Sequence, residues 1–316
     1  MNNLKQKLNL NTNQYKSIKA NFFRLAIFLI LYTTIGILHP IIQEHFLGIS
    51  FTQTDKYMAY LIYPISLIFI LFRWDKIKNL PYYKNNFNQT IIFAFLSILI
   101  LIIPWVRMAK EMPDFLYIIY FSVYFFTFFF LFWAIFNTVF LNRFFNEIMV
   151  IILAYIAFLA IEVTLINYWQ YISYVIVWCT GKGLSPLGDI LKINLDTFMV
   201  SLKDFTVYVD PVCAGLYSVV SFIFLFLIAL LFASQRQKLN KTKTAIAIIL
   251  GALVVFVLNI IRVMIIVIIG GFVSEKLAMD LFHEYLSAIF LLAIFIFYLY
   301  KVIPWLSSGC HCEKPL

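Results

Sequence analysis

TAIAIILGALVVFVLNIIRVMIIVII, residues 244–269, decides what kind of protein this is. The run is longer than the roughly 20 residues that carry a helix across the hydrocarbon of a bilayer. One amide, Asn259, and one charge, Arg262, interrupt an otherwise apolar stretch. Its apolar residues are continuous rather than alternating, which is the pattern of a spanning helix and not of an outer-membrane strand.

Working outward, seven more runs read as spans: 22–38, 57–72, 88–106, 115–136, 148–167, 216–233 and 284–303. The composition agrees. The 316 residues are 63% hydrophobic and 12% charged, whereas soluble domains carry about 25% charged residues. One water-soluble core cannot hide this much apolar surface. The expected fold is all-α, a polytopic transmembrane bundle of about eight spans. The first run begins near Asn21 with no small-residue cleavage site behind it, so it reads as a retained span. The aromatic density of Phe121 to Phe136 reads as lipid-facing or bundle packing.

The net charge of +9 reflects orientation, not nucleic-acid binding. With the N-terminus inside, Lys5, Lys7, Lys16, Lys19, Arg24, Arg73, Lys76, Lys78, Lys84, Arg143, Arg236, Lys238, Lys241, Lys243, Lys301 and Lys314 fall on inner segments. Only Lys56, Arg107, Lys110, Lys182, Lys192, Lys203 and Lys276 fall outside. That excess predicts an N-in, C-in protein of the cell membrane. Five segments follow: a cytoplasmic tail 1–20, spans one to five over 21–167, an extracytoplasmic or interfacial segment 168–215, spans six to eight over 216–304, and a tail 305–316. Within 168–215, Tyr168 to Trp178 reads either as an interfacial helix or as an extension of span five. GKGLSPLGD, 181–189, has turn chemistry. FTVYVDP, 205–211, alternates as a short extended segment.

Three side chains carry chemistry, one at each of the last three spans. Cys213 stands at the outer start of span six and His283 at the outer start of span eight. Arg262 lies about 28 Å above Lys243 along span seven, near the outer face of a core about 30 Å thick. Asn259, three residues earlier, shares its helix face. An arginine in a span is costly and needs a partner or a task; a helix-packing clamp or a guanidinium reaching the headgroups would also account for it. A cysteine by itself is more often an inert core residue. At a helix N-terminus beside a cation, however, a thiol is expected to ionise below the reference of about 8.5 and become a nucleophile. Gly215 leaves room for a substrate backbone, and His283 is the natural base and acid for the thiol. Asp210 would either hold the loop or repel the thiolate.

Cys-Ala-Gly-Leu at 213–216, Asn-Ile-Ile-Arg at 259–262 and His283 together resemble the exosortase/archaeosortase family. The resemblance covers roughly residues 170 to 303. It implies a membrane-embedded cysteine transpeptidase acting near the outer surface on exported proteins. Such substrates bear a C-terminal motif, a transmembrane helix and a basic tail, and the new C-terminus passes to an acceptor of the lipid or glycan class. By that pattern Cys213 forms a thioester, His283 moves the proton, and Arg262 stabilises the oxyanion or orients the carbonyl. Asn259 and Gly215 support them, and no cofactor or metal is implied. Ser287 stands where a glycine is frequent and Tyr217 where a basic residue is frequent.

Other polar residues have plainer readings. Glu162 within span five is a proton-relay residue or a protonated bundle residue. Cys310-His311-Cys312 is a metal half-site at most, lacking a fourth ligand. His39 and His45 read as loop residues. Two other functions remain open from sequence: an intramembrane cysteine protease releasing its product to water, and a non-enzymatic transporter or assembly protein. A transporter would place its polar groups at the midplane between broken helices; here they gather at one surface.

Overall fold

The computed structural model describes residues 12–47, 61–81, 87–102, 114–211, 213–235, 237–279 and 286–307. The protein is an all-α polytopic membrane protein with one small sheet, and it divides into two compact units, Met1–Leu159 and Ala160–Leu316. Four stretches among the described residues are long and apolar enough to cross a bilayer: Gln14–Ile35, Phe126–Ile161, Leu216–Ser234 and Lys241–Phe272. Two shorter apolar helical stretches, Phe87–Ile100 and Leu291–Ser307, accompany them.

The first unit holds helices α1 (Thr12–Leu47), α2 (Ile62–Lys78), α3 (Phe87–Ile102) and most of α4 (Asp114–Ile166). Helix α1 begins well before Asn21, so residues 12–20, expected as a polar tail, are helical, with Ser17 and Ile18 buried. His39 and His45 also fall within α1 rather than on a loop. Phenylalanines at 128, 132, 136, 140 and 144 recur every four residues on α4, which puts them on one stripe. Phe132 and Phe136 stack at 4.3 Å, and Phe28 of α1 meets Phe132 edge-on at 5.3 Å. This stripe is bundle packing. The runs expected as spans four and five occupy one helical stretch, broken by non-helical backbone at Asn137 (φ 67°, ψ 162°) and Phe144. One buried cluster is charged. The Arg73 Nε donates to Glu147 at 2.9 Å and the Lys76 Nζ at 2.6 Å, joining α2 to α4.

The second unit starts with the end of α4 and a turn at Asn167–Tyr168. Helix α5 (Trp169–Leu184) follows, separate from α4, which settles the two readings of this stretch in favour of a distinct helix. A 3₁₀ turn, Ser185–Ile190, leads into an antiparallel meander of β1 (Leu191–Asn194), β2 (Met199–Leu202) and β3 (Phe205–Tyr208). The extended segment expected at 205–211 is β3; β1 and β2 are its unanticipated partners. The alternation of β2 and β3 sends Val200, Leu202, Phe205 and Val207 inward and Met199, Thr206 and Tyr208 outward.

Three long helices complete the unit: α6 (Leu216–Ser234), α7 (Lys241–Phe272) and α8 (Leu286–Ser307). Helix α7 starts cleanly because the Asn240 side chain caps it, accepting from the Lys243 amide at 3.1 Å. Phe222 of α6 packs against Gly251 of α7 and against Phe295 and Tyr298 of α8. The Tyr298 hydroxyl donates to the Ala247 carbonyl, and the Asn240 amide to the Leu306 carbonyl. The last turns of α8 therefore lie beside the first turns of α7, and the two helices run antiparallel. At the other end of α7, Gly270 and Gly271 admit Phe205 and Leu202 of the sheet, which is how the meander is held. Its inward face shares one core with α5, α7, Cys213 and Ala214.

Candidate active site

The segment between β3 and α6 positions the thiol. Asp210 ends the extended chain, and its Oδ1 accepts from the Cys213 amide at 2.7 Å. Its carbonyl accepts from the Ala214 amide at 2.8 Å. This turn feeds Gly215, the N-cap of α6, which adopts φ 68°, a left-handed conformation that favours glycine. The space that Gly215 leaves is filled from inside the protein: a Cβ there would collide with the Asn259 side chain. The glycine thus admits Asn259 rather than a substrate backbone, which corrects the sequence-based reason for it.

Asn259 is the hinge pin of the arrangement. It is 4% exposed. Its Nδ2 donates to the Cys213 carbonyl at 2.9 Å, and its Oδ1 accepts from the Arg262 Nη1 at 3.3 Å. One amide thereby joins the cysteine backbone on the α6 side to the guanidinium on α7. The i to i+3 spacing makes this possible by placing both side chains on one helix face. The structure brings together Cys213, Gly215, Asn259 and Arg262. Asp210, weighed from sequence only as a loop holder or a repelling charge, both holds the loop and opposes ionisation of the thiol.

His283 lies outside the described residues, as do Glu284 and the tail Cys310-His311-Cys312. The Glu162 side chain is likewise outside them. What is described is the helix that follows His283. From the Phe222–Phe295 contact, seven residues of α6 lead back to Gly215, about 10 Å. Nine residues of α8 lead back to Leu286, about 13 Å. Leu286 consequently enters the bundle within a few ångströms of the height of Gly215 and Asn259.

The thiol is not poised as a free thiolate. Cys213 is buried within an apolar cluster that includes Val209, Ala214, Val263 and Ile266. Burial, followed by the Asp210 carboxylate, pushes the thiol up to about 12, while the Arg262 guanidinium pulls it the other way. The expectation of a value below 8.5 is therefore corrected for the resting protein: the helix N-terminus and one cation do not offset desolvation plus a carboxylate. Among the described residues no three His, Cys, Asp or Glu side chains converge as a metal site would require.

In the second unit a cysteine, an Asn–Arg pair and a glycine-capped helix meet at one level of the helices. The family profile for transmembrane exosortases matches residues 51–300, and the chain belongs to that family. Membership makes it a membrane-embedded processing enzyme of the sortase-like kind. No curated protein and no solved structure matches the chain.

Proposed function

We propose that the protein is a cysteine transpeptidase that cuts exported proteins near their C-terminal sorting signal and passes the new C-terminus to an acceptor. The observation that carries this reading is the single Asn259 amide bonded both to the Cys213 carbonyl and to the Arg262 guanidinium. That link fixes a thiol-bearing backbone and a preorganised cation against one another, which a helix-packing arginine would not need. Family membership supports the substrate class, exported proteins with C-terminal sorting signals.

In the proposed reaction His283 takes the Cys213 proton as the sulfur attacks the scissile carbonyl, and an S–C bond forms. Arg262 faces the negative charge that develops on the carbonyl oxygen; preorganised charge of this kind is worth several kcal/mol of barrier, about 2.7–4 for one such donor. The C–N bond breaks and the imidazolium returns its proton to the departing amine. The thioester is then attacked by the acceptor, the C–S bond breaks, and the acceptor's proton passes through His283 to the departing Cys213 sulfur. Because the resting thiol is protonated and buried, the base must act in concert with attack. The active centre faces the extracytoplasmic side of the cell membrane in this reading, in accord with the basic excess on the opposite loops.

The test is processing of an exported substrate by Cys213→Ala, Cys213→Ser and Arg262→Ala variants that insert and fold. Each is expected to leave the substrate full length. Shortening by Cys213→Ala at the wild-type rate ends the proposal. Mass analysis of the product separates transfer from hydrolysis, since a transpeptidase leaves a conjugate and a water-accepting protease leaves a free carboxylate.

A further inference from the structure

The first unit contains a cavity that the proposed chemistry does not use. It has a volume of about 130 Å³ and lies between α1, α2 and α4. Its walls are almost wholly apolar, with Leu25, Phe28, Ile65 and Phe132 among them. Phe22, 42% exposed, stands at its margin. On α2 the lining runs from Ile62 to Ile77, a length of about 22 Å. That exceeds the roughly 15 Å of hydrocarbon in one leaflet, half of a core about 30 Å thick.

Asn21 and Ser66 are the polar residues that line the cavity. The Asn21 Oδ1 accepts from the Arg24 Nη1 at 3.2 Å. The Gln14 side chain bonds to Asn79, which sets the start of α1 beside the end of α2. The same end therefore gathers Lys16 and Lys19 from α1 with Arg73, Lys76 and Lys78 from α2, and Arg24, further along α1, turns its guanidinium back to Asn21. The carboxylates facing them among the described residues are Asp75, paired with Lys78, and Glu147, paired with Arg73 and Lys76. Six cations against two carboxylates leave a surplus of positive charge beside the mouth. An apolar slot as deep as a leaflet, ending at a basic rim, matches a molecule with an acyl chain and an anionic head.

We infer that this cavity binds an anionic phospholipid, one acyl chain in the slot and the headgroup phosphate against Arg24 and the neighbouring lysines. The bound lipid would hold α1 against α2 and α4, where the packing otherwise leaves a void.

The test uses the full chain purified in detergent and relipidated with phosphatidylglycerol, with phosphatidylcholine of the same chains, or with glycerol phosphate. Native mass spectrometry counts retained lipid, and thermal unfolding reads its effect. Phosphatidylglycerol is expected to be retained at least several-fold better than phosphatidylcholine and to raise the unfolding temperature. Glycerol phosphate, lacking chains, is expected to do neither. Arg24→Gln should reduce the preference between the two lipids, and Ser66→Leu, which fills the slot, should reduce retention of both. Ile70→Phe serves the same purpose where Ser66→Leu fails to fold. Equal retention of the two lipids, stabilisation by glycerol phosphate, or undiminished binding in a folded slot-filling variant overturns the inference.

Discussion

At the scale of single residues, Asp210 matters as much as the cysteine it precedes. Its carboxylate accepts the Cys213 amide hydrogen bond and at the same time disfavours the thiolate. Asp210→Asn keeps an acceptor oxygen and removes the charge. The thiol value should fall from about 12, yet stay above the ordinary 8.5 because burial persists. Arg262→Ala should move it the opposite way. Alkylation rates of the detergent-solubilised protein across pH 7 to 11 read both shifts, and identical profiles for wild type and Asp210→Asn would refute the electrostatic account. Since the native state favours the protonated thiol, its contribution to stability is complete below the unfolded value of about 8.5 and is lost as pH climbs toward 12. A second prediction concerns Asn259. Asn259→Ala leaves the Cys213 carbonyl without this donor and should cost about 1–3 kcal/mol, measured by thermal unfolding. Gly215→Ala forces a side chain into the Asn259 position at φ 68° and should cost at least as much. In the double variant the collision is gone, so the losses should add to less than their sum. Full additivity would mean that the two residues do not share that space.

At the scale of elements, the meander depends on two adjacent glycines of α7. A Cβ on Gly270 would meet the Phe205 side chain rather than backbone. A Cβ on Gly271 stands 2.9 Å from the Leu202 carbonyl oxygen, which is backbone held in the sheet. Gly271→Ala should therefore loosen the hairpin more than Gly270→Ala, by about 1–3 kcal/mol as for other overpacked sites. Limited proteolysis at the Lys203–Asp204 turn reports it; equal cleavage of the two variants would contradict the assignment. The elements also show what could be read from sequence. Long apolar runs announced α6, α7 and α8, and the alternation of FTVYV announced β3. Strands β1 and β2 were hidden because four residues such as LKIN and MVSL carry too few alternations to stand out, and their pairing is decided by distant partners. The break of α4 at Asn137 falls where the fourth apolar run was expected to end, at 136, although no Gly or Pro marks it. The Asn–Arg spacing gave away one half of the candidate site. The burial of Cys213, set by residues of α7 and by the sheet core, did not show in local sequence at all.

At the scale of the whole molecule, the two units have different kinds of core. Among the described residues the first is held by an aromatic stripe and a buried ion cluster, the second by largely aliphatic packing of the sheet on α5 and α7 and by aromatic contacts between α6 and α8. Glu147 is 3% exposed and answers both Arg73 and Lys76. Glu147→Gln strips the charge that neutralises the buried Arg73, and removal of one partner from such a pair costs about 3–5 kcal/mol. Lower thermal stability of the variant, with α1–α4 losing protease resistance first, is the expected result; an unchanged melting profile would show that the cluster is dispensable. Orientation is tested separately. Membrane-impermeant labelling of tags at both chain ends is expected to succeed only after the cell is opened, the outcome that the distribution of basic residues predicts. The 4% exposure of Cys213 reaches beyond this enzyme's own chemistry. Surveys that tag accessible sulfhydryls across living cells will pass it by, and a blank there says nothing against a covalent mechanism. An electrophile shaped like the proposed peptide substrate, and long enough to engage the proposed base, is the reagent suited to finding it.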